Sequence, residues 1–140
     1  MEDLFPETTL AKSKVFEVKL LSSILLLSDS LGYKKVELPR EAQYSPIYGI
    51  LILDFDKDGV EDIIAGGNQF QVKPQFGRYD ASNGWLFKGN LIGGRFSLEP
   101  GIDLNVKGQI RDIEYLEIKG TRYILFAKYD SDLEIYKIPG

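Results

Sequence analysis

Ile50 to Asn68 reads ILILDFDKDGVEDIIAGGN, and this stretch limits the possible folds more than any other in the chain. Asp54, Asp56, Asp58 and Asp62 stand at positions 1, 3, 5 and 9 of a short loop, with Gly59 directly after the third of them. Apolar residues lie on both sides, Ile50 to Leu53 before and Ile63 to Ala65 after. Carboxylates at alternate positions of a tight turn converge on one point and repel one another unless a cation sits between them. An all-oxygen donor set asks for a hard cation. Calcium suits it better than magnesium, because calcium accepts about 6–8 oxygens in a flexible shell while magnesium demands an octahedron and keeps its water.

In this reading Asp54, Asp56 and Asp58 each give a side-chain oxygen, Val60 gives its backbone carbonyl, and Asp62 closes the shell as a bidentate carboxylate. Gly59 allows the chain to reverse toward the ion. An EF-hand is excluded: its loop needs a carboxylate at position 12, which here is Ala65, and the flanks are strand-like. The plain alternative is a solvated acidic hairpin turn, since Asp and Gly are ordinary turn residues. A catalytic role ranks below both, because carboxylates saturated by a structural ion are poor bases.

The segment DFDKDGVEDIIAGG resembles the signature of FG-GAP/VCBS repeats, the calcium-loop blades of integrin-type β-propellers found in many secreted bacterial proteins. The matching positions are Asp54, Asp56, Asp58, Gly59, Asp62, Gly66 and Gly67. The resemblance implies a four-stranded blade with structural calcium between its first two strands, and it extends from Ser22 to the C-terminus with one loop intact. It also implies a non-catalytic module for extracellular recognition, scaffolding or adhesion, with a protein or glycan ligand. The full-length protein would then act outside the cell, in the periplasm or at the cell surface. The alternative is a fragment of a secreted polysaccharide-acting enzyme built on a propeller.

Composition removes other chemistries. With no His and no Cys, the chain alone cannot build Ser-His or Cys-His nucleophiles, zinc sites or imidazole acid–base catalysis. A net charge of −4 without any basic run argues against nucleic acid as a partner. The chain opens MEDLFPETTLAKSK, acidic where a signal peptide carries a basic region. Apolar runs such as Ile24 to Leu27 are far too short to cross a bilayer, so no membrane insertion is expected.

Strand-like segments fill most of the chain, and the expected class is all-β. Lys14 to Leu20 reads as a strand, Ser22 to Ser28 as a strand buried on both faces, and Tyr33 to Leu38 as its hairpin partner. Tyr48 to Phe55 and Asp62 to Gly66 flank the metal loop, Gly84 to Gly89 and Arg95 to Leu98 form a hairpin, and Gln109 to Glu117, Thr121 to Lys128 and Leu133 to Ile138 follow. Shifting the chain by 60 residues superposes Leu25, Leu26, Leu27, Leu31, Val36 and Leu38 on Trp85, Leu86, Phe87, Leu91, Phe96 and Leu98. Such an internal repeat points to propeller blades or stacked modules. A worn third copy aligns Leu116 with Leu53, and Ile124 and Leu125 with Ile63 and Ile64; its shorter turn is expected to close without calcium.

The expected architecture is a single domain over residues 1–140, a partial β-propeller of two to three four-stranded antiparallel blades. Residues 14–38 form a partial blade, 48–98 a complete blade with the calcium loop, and 109–138 a degenerate one. Since propellers close with about 4 to 8 blades and open sheet edges are a liability in water, the chain is expected either to be the remainder of a longer propeller or to form a homo-oligomer. Arg78, Tyr79 and Asp80, in the long loop from Asn68 to Asn83, are candidate ligand-binding residues, and the first candidates for chemistry in the enzyme reading. The simpler account pairs Arg78 with Asp80 locally and packs Phe70 and Phe76 under the loop.

Overall fold

The computed structural model describes residues 4–14 and 16–139. A single helical turn, α1 (Glu7–Leu10), precedes eleven strands: β1 (Ile24–Asp29), β2 (Gly32–Glu37), β3 (Ile47–Leu53), β4 (Asp62–Gly67), β5 (Trp85–Phe87), β6 (Gly89–Ile92), β7 (Arg95–Leu98), β8 (Ile102–Asp103), β9 (Gln109–Ile118), β10 (Thr121–Tyr129) and β11 (Glu134–Lys137). The fold is all-β, and every pairing is antiparallel. The sheets are small: β3-β4-β5-β8, β11-β10-β9, and the hairpins β1-β2 and β6-β7. Among the described residues no helix is long and apolar enough to cross a membrane.

Strand β4 explains how these sheets stack. Alternate residues of a strand point to opposite faces, and all six residues of β4 are buried, so both of its faces are covered. Ile64 and its neighbour Leu86 on β5 pack with Val106, Ile110 and Ile113, and with Ile124, Phe126 and Ile138. Ile63, Ala65 and Phe87 point the other way, against Ala42, Leu25, Leu38 and Leu98. The four-stranded sheet is therefore the middle layer, with β9-β10-β11 on one side and the two hairpins on the other. β3 and β9 approach closely: a Cβ on Gly49 would lie 2.7 Å from Ile113 Cγ1, a contact no side chain tolerates.

Several expectations need correction. None of the described residues of Lys14 to Leu20 pairs in a sheet, and Val15 lies outside the described residues. Strand β1 is half-buried, because the β1-β2 hairpin covers the middle layer with one face only. Of Gly84 to Gly89 only Gly89 pairs with Arg95 to Leu98, opposite Leu98; β5 belongs to the middle sheet, and the rest of β7 pairs with β6. The physical reason is the Gly89 N–H, which donates to the buried Asp62 carboxylate at 2.8 Å and fixes where the chain leaves the sheet. The fourth strand of the middle sheet is β8, beyond residue 98. Of the 60-residue repeat, Leu25, Leu38, Trp85 and Leu98 lie in one core, but Leu26 is 55% exposed where Leu86 is 3%, and the pairing differs: Leu25 faces Val36, whereas Trp85 faces Ala65 and Asp103.

The third copy fares better. Leu116 pairs with Tyr123 as Leu53 pairs with Asp62, and Ile124 with Tyr115 as Ile63 with Ile52. Its turn is only Lys119 and Gly120, both at positive φ, as in the two-residue hairpins that suit strand twist.

One buried amide joins the two ends of the long loop to the segments before β3 and β9. Asn68, 1% exposed, donates from Nδ2 to the carbonyls of Ser82 (2.6 Å) and Gly108 (2.8 Å). Its Oδ1 accepts from the Ser82 N–H (3.0 Å) and the Ser45 hydroxyl (2.8 Å). Its own carbonyl accepts from Arg111 Nη1 at 2.9 Å, and the Arg111 guanidinium lies 4.3 Å over the Tyr48 ring. An alanine at this position orphans several buried partners, each at about 1–3 kcal/mol with partial relaxation. Asn68→Ala is expected to lose about 3 kcal/mol in urea unfolding; a loss under about 1 kcal/mol would show that water replaces the amide.

Candidate metal centre

The loop between β3 and β4 is shaped by its own aspartates. Asp54 Oδ1 accepts from the Asp58 N–H (3.1 Å), and Asp54 Oδ2 from the Gly59 N–H (3.0 Å). Asp58 Oδ1 accepts from the Val60 N–H at 2.8 Å, an Asx turn. These bonds fold the loop over Asp54. The backbone is left-handed at Lys57 (φ 65°) and again at Gly59 (φ 88°), where a missing Cβ removes the strain. As a result Asp54, Asp56 and Asp58 each offer a carboxylate oxygen within 4.8 Å of the others. Asp54 is half-buried, and the other two are exposed.

Two cations that sequence reasoning missed hold this cluster. Lys88 Nζ, at the end of β5, lies 2.6 Å from Asp56 Oδ2. This hydrogen bond holds the Asp56 carboxyl below the usual carboxylate range and raises the Lys88 ammonium above its own. Arg122, on β10, donates from Nη1 to the Asp54 carbonyl (3.1 Å) and from Nη2 to the Phe55 carbonyl (3.0 Å), clamping the start of the loop. The only local signal for Lys88 is a single cation ending the apolar run WLF. For Arg122 the signal misleads, since Glu117 is its cross-strand neighbour and would be taken as its partner.

Asp62 is placed differently from expectation. Its side chain is 1% exposed, with Oδ2 accepting from the Phe55 N–H (2.9 Å) and Oδ1 from the Gly89 N–H (2.8 Å). It falls outside the three-carboxylate group, and each of its two oxygens accepts a backbone N–H. Val60 enters the loop through its N–H bond to Asp58.

Arg78, Tyr79 and Asp80 lie at the far end of the middle sheet. Arg78 Nε is 3.7 Å from Asp80 Oδ2, and its guanidinium stacks 3.8 Å over the Phe70 ring. Tyr79 pairs through its backbone with Gln69 (2.8 and 2.9 Å), so the loop closes on itself. Arg78 and Asp80 line an open groove of about 320 Å³ with Phe70, Asn83 and Lys107, and Tyr79 is not among its walls. The local pairing accounts for Arg78 and Asp80, while Phe76 stays exposed rather than packing under the loop.

Removing the Asp62 carboxylate orphans two N–H groups, one of them buried at Gly89. Asp62→Ala is expected to lose about 2–4 kcal/mol, equally in calcium and in chelator, when followed by urea unfolding. A loss seen only in calcium would instead make Asp62 a ligand. Comparison of the chain with protein-family models, with curated proteins and with solved structures finds no match.

Proposed function

We propose that the chain is a calcium-stabilised module of FG-GAP/VCBS type, a partial β-propeller whose stacked sheets serve extracellular recognition, scaffolding or adhesion rather than catalysis. The observation that carries this reading is the convergence of Asp54, Asp56 and Asp58 within 4.8 Å at the turn joining β3 to β4. The donor set is all oxygen, as calcium prefers. Charge favours a divalent ion: Lys88 pairs with Asp56 alone and Arg122 reaches only the backbone carbonyls of Asp54 and Phe55, so the Asp54 and Asp58 carboxylates take part in no ion pair among the described residues. Support for the blade arrangement comes from three layers stacked face to face and from the matching registers of β3-β4 and β9-β10.

In this reading Asp54, Asp56 and Asp58 are side-chain ligands and the Val60 carbonyl is a further one, with water filling the rest of the shell. The natural ligand of the module is a protein or a glycan, and the groove beside Arg78 and Asp80 is the secondary candidate for contacting it.

A ligand held only by the folded state stabilises it. For an affinity near 1 mM, common in extracellular modules, 10 mM calcium stabilises by about 1.4 kcal/mol, or about 5 °C in melting temperature. Asp58→Ala is expected to abolish that shift while leaving the melting temperature in chelator within about 2 °C of the parent. Identical melting of the parent protein in 10 mM calcium and in chelator would sink the reading.

A further inference from the structure

The β9-β10-β11 sheet is one strand narrower than the middle sheet it stacks on. Matching Ile124 on β10 with Ile63 on β4 also matches Tyr136 on β11 with Phe87 on β5, since each aromatic stands opposite the matched isoleucine. Beyond β5 comes β8, antiparallel, with Ile102 opposite Leu86 and Asp103 opposite Trp85. Beyond β11 no strand follows among the described residues. The matched pair shows the consequence. Phe87 is 0% exposed, whereas Tyr136, on the face that Ile124 turns to the middle sheet, is 40% exposed. A cavity of about 140 Å³ lies beside it, walled by Tyr136, Ile138, Ile124 and Phe126 and by Phe55 and Leu104.

The chain also holds a strand pattern without a sheet. Phe16, Val18 and Leu20 alternate with Glu17 and Lys19, so an extended backbone puts the three apolar side chains on one face and the two charges on the other. Residues 16–20 pair with nothing among the described residues, and Phe16 and Val18 are 81% and 70% exposed. This segment fits the open edge in one register. With Val18 opposite Tyr136, and the strands antiparallel as β8 is to β5, Phe16 comes opposite Ile138 and both apolar side chains turn to the cavity. On the outer face Glu17 then comes opposite Lys137. The parallel alternative would set Lys19 beside Lys137 instead, and like charges across a strand pair are destabilising.

Reach decides whose segment it is. The Gln43 side chain anchors Ser23, accepting from its N–H at 2.7 Å and donating to its carbonyl at 3.1 Å. Ser23 leads into β1, in the hairpin layer, and two sheet spacings of about 10 Å each separate that layer from β11. From Ser23 back to Leu20 an extended chain covers only about 10 Å. Residues 16–20 therefore cannot lie along β11 of their own chain, but they can lie along that of another.

We propose that residues 16–20 of one copy of this chain add to the free edge of β11 in a second copy as an antiparallel fourth strand, with Val18 opposite Tyr136. Strand addition takes its affinity from main-chain hydrogen bonds and its specificity from alternate side chains set in pockets. It also covers an edge that is otherwise a liability in water. The contact goes beyond the calcium reading and does not need the ion, since no aspartate of the β3-β4 loop lines the cavity.

Sedimentation of the whole chain in calcium and in chelator tests it. An assembly larger than the 15.8 kDa chain is expected in both buffers. Val18→Asp, which carries a charge into the apolar cavity, is expected to weaken association by roughly 30-fold or more. Val18 is exposed in the single chain, so the far-ultraviolet spectrum is expected to stay β-type. Because the chain has no Cys, a disulfide reports the register directly. Glu17→Cys chains mixed with Lys137→Cys chains are expected to join two to one another on oxidation, a product that neither variant forms alone. A parent protein that sediments as a monomer overturns the proposal, as does an assembly that Val18→Asp leaves intact. So does a double variant, Glu17→Cys with Lys137→Cys, that closes its disulfide only within one chain. Association lost in chelator transfers the contact to the metal loop and equally overturns it. Calcium-dependent melting is a separate readout, so the calcium reading and this proposal fail independently.

Discussion

Burial of β4 on both faces is the constraint from which the architecture follows. A strand covered on one side tolerates polar residues on the other, but Ile63, Ile64, Ala65, Gly66 and Gly67 leave no side for water. Two separate sheets must meet this one, and the alternation of side chains assigns Ile64 to one core and Ile63 to the other. Full burial of an Ile or Phe side chain contributes about 1.5–3 kcal/mol, so Ile64 and Phe87 weigh heavily in a domain whose net stability is about 5–15 kcal/mol. The price of this arrangement is that polar groups are carried inside, and Asp62 and Asn68 at the two ends of β4 are both satisfied by hydrogen bonds.

Those two residues share a logic. Each is a buried polar side chain just where the chain leaves regular pairing, and each takes up backbone groups that a sheet would otherwise have satisfied. Asp62 receives the N–H groups of Phe55 and Gly89, from the start of the β3-β4 loop and the start of β6. Asn68 receives and donates across Ser45, Ser82 and Gly108, so the long loop is held at its base while its tip stays exposed. Unsatisfied backbone groups in such positions are costly, which is why one carboxylate and one amide can set the path of so much chain.

Sequence pattern made the strands around the loop and the last three strands legible, because apolar runs broken by Asp-Gly or Lys-Gly turns have few other readings. The all-β class followed from the same pattern. What stayed hidden depended on contacts distant in sequence. The Asp62 side chain reads as a ligand from its spacing to Asp54, and only the three-dimensional path of Gly89 reveals another use. Lys88 and Arg122 reach the loop from 32 and 68 residues away along the chain, and no local pattern announces either. The strand expected at Lys14 to Leu20 fails for a related reason: alternation predicts a strand only if an edge is available, and none of its described residues finds one.

The hydrogen bonds inside the loop bear on how strongly an ion there would act. Asp54 already holds the N–H groups of Asp58 and Gly59, and Asp58 holds that of Val60, so hydrogen bonds within the turn define its shape. An ion entering a preformed loop orders little chain and loses little affinity to ordering. It must nevertheless compete with Lys88 for Asp56, and the ammonium lost to water is part of the cost of binding. Arg122 also joins the carbonyls of Asp54 and Phe55 to β10 in the next layer, so any tightening of the loop is felt between sheets as well as within one. For any ion that entered it, the loop would thus combine low reorganisation with a built-in competitor.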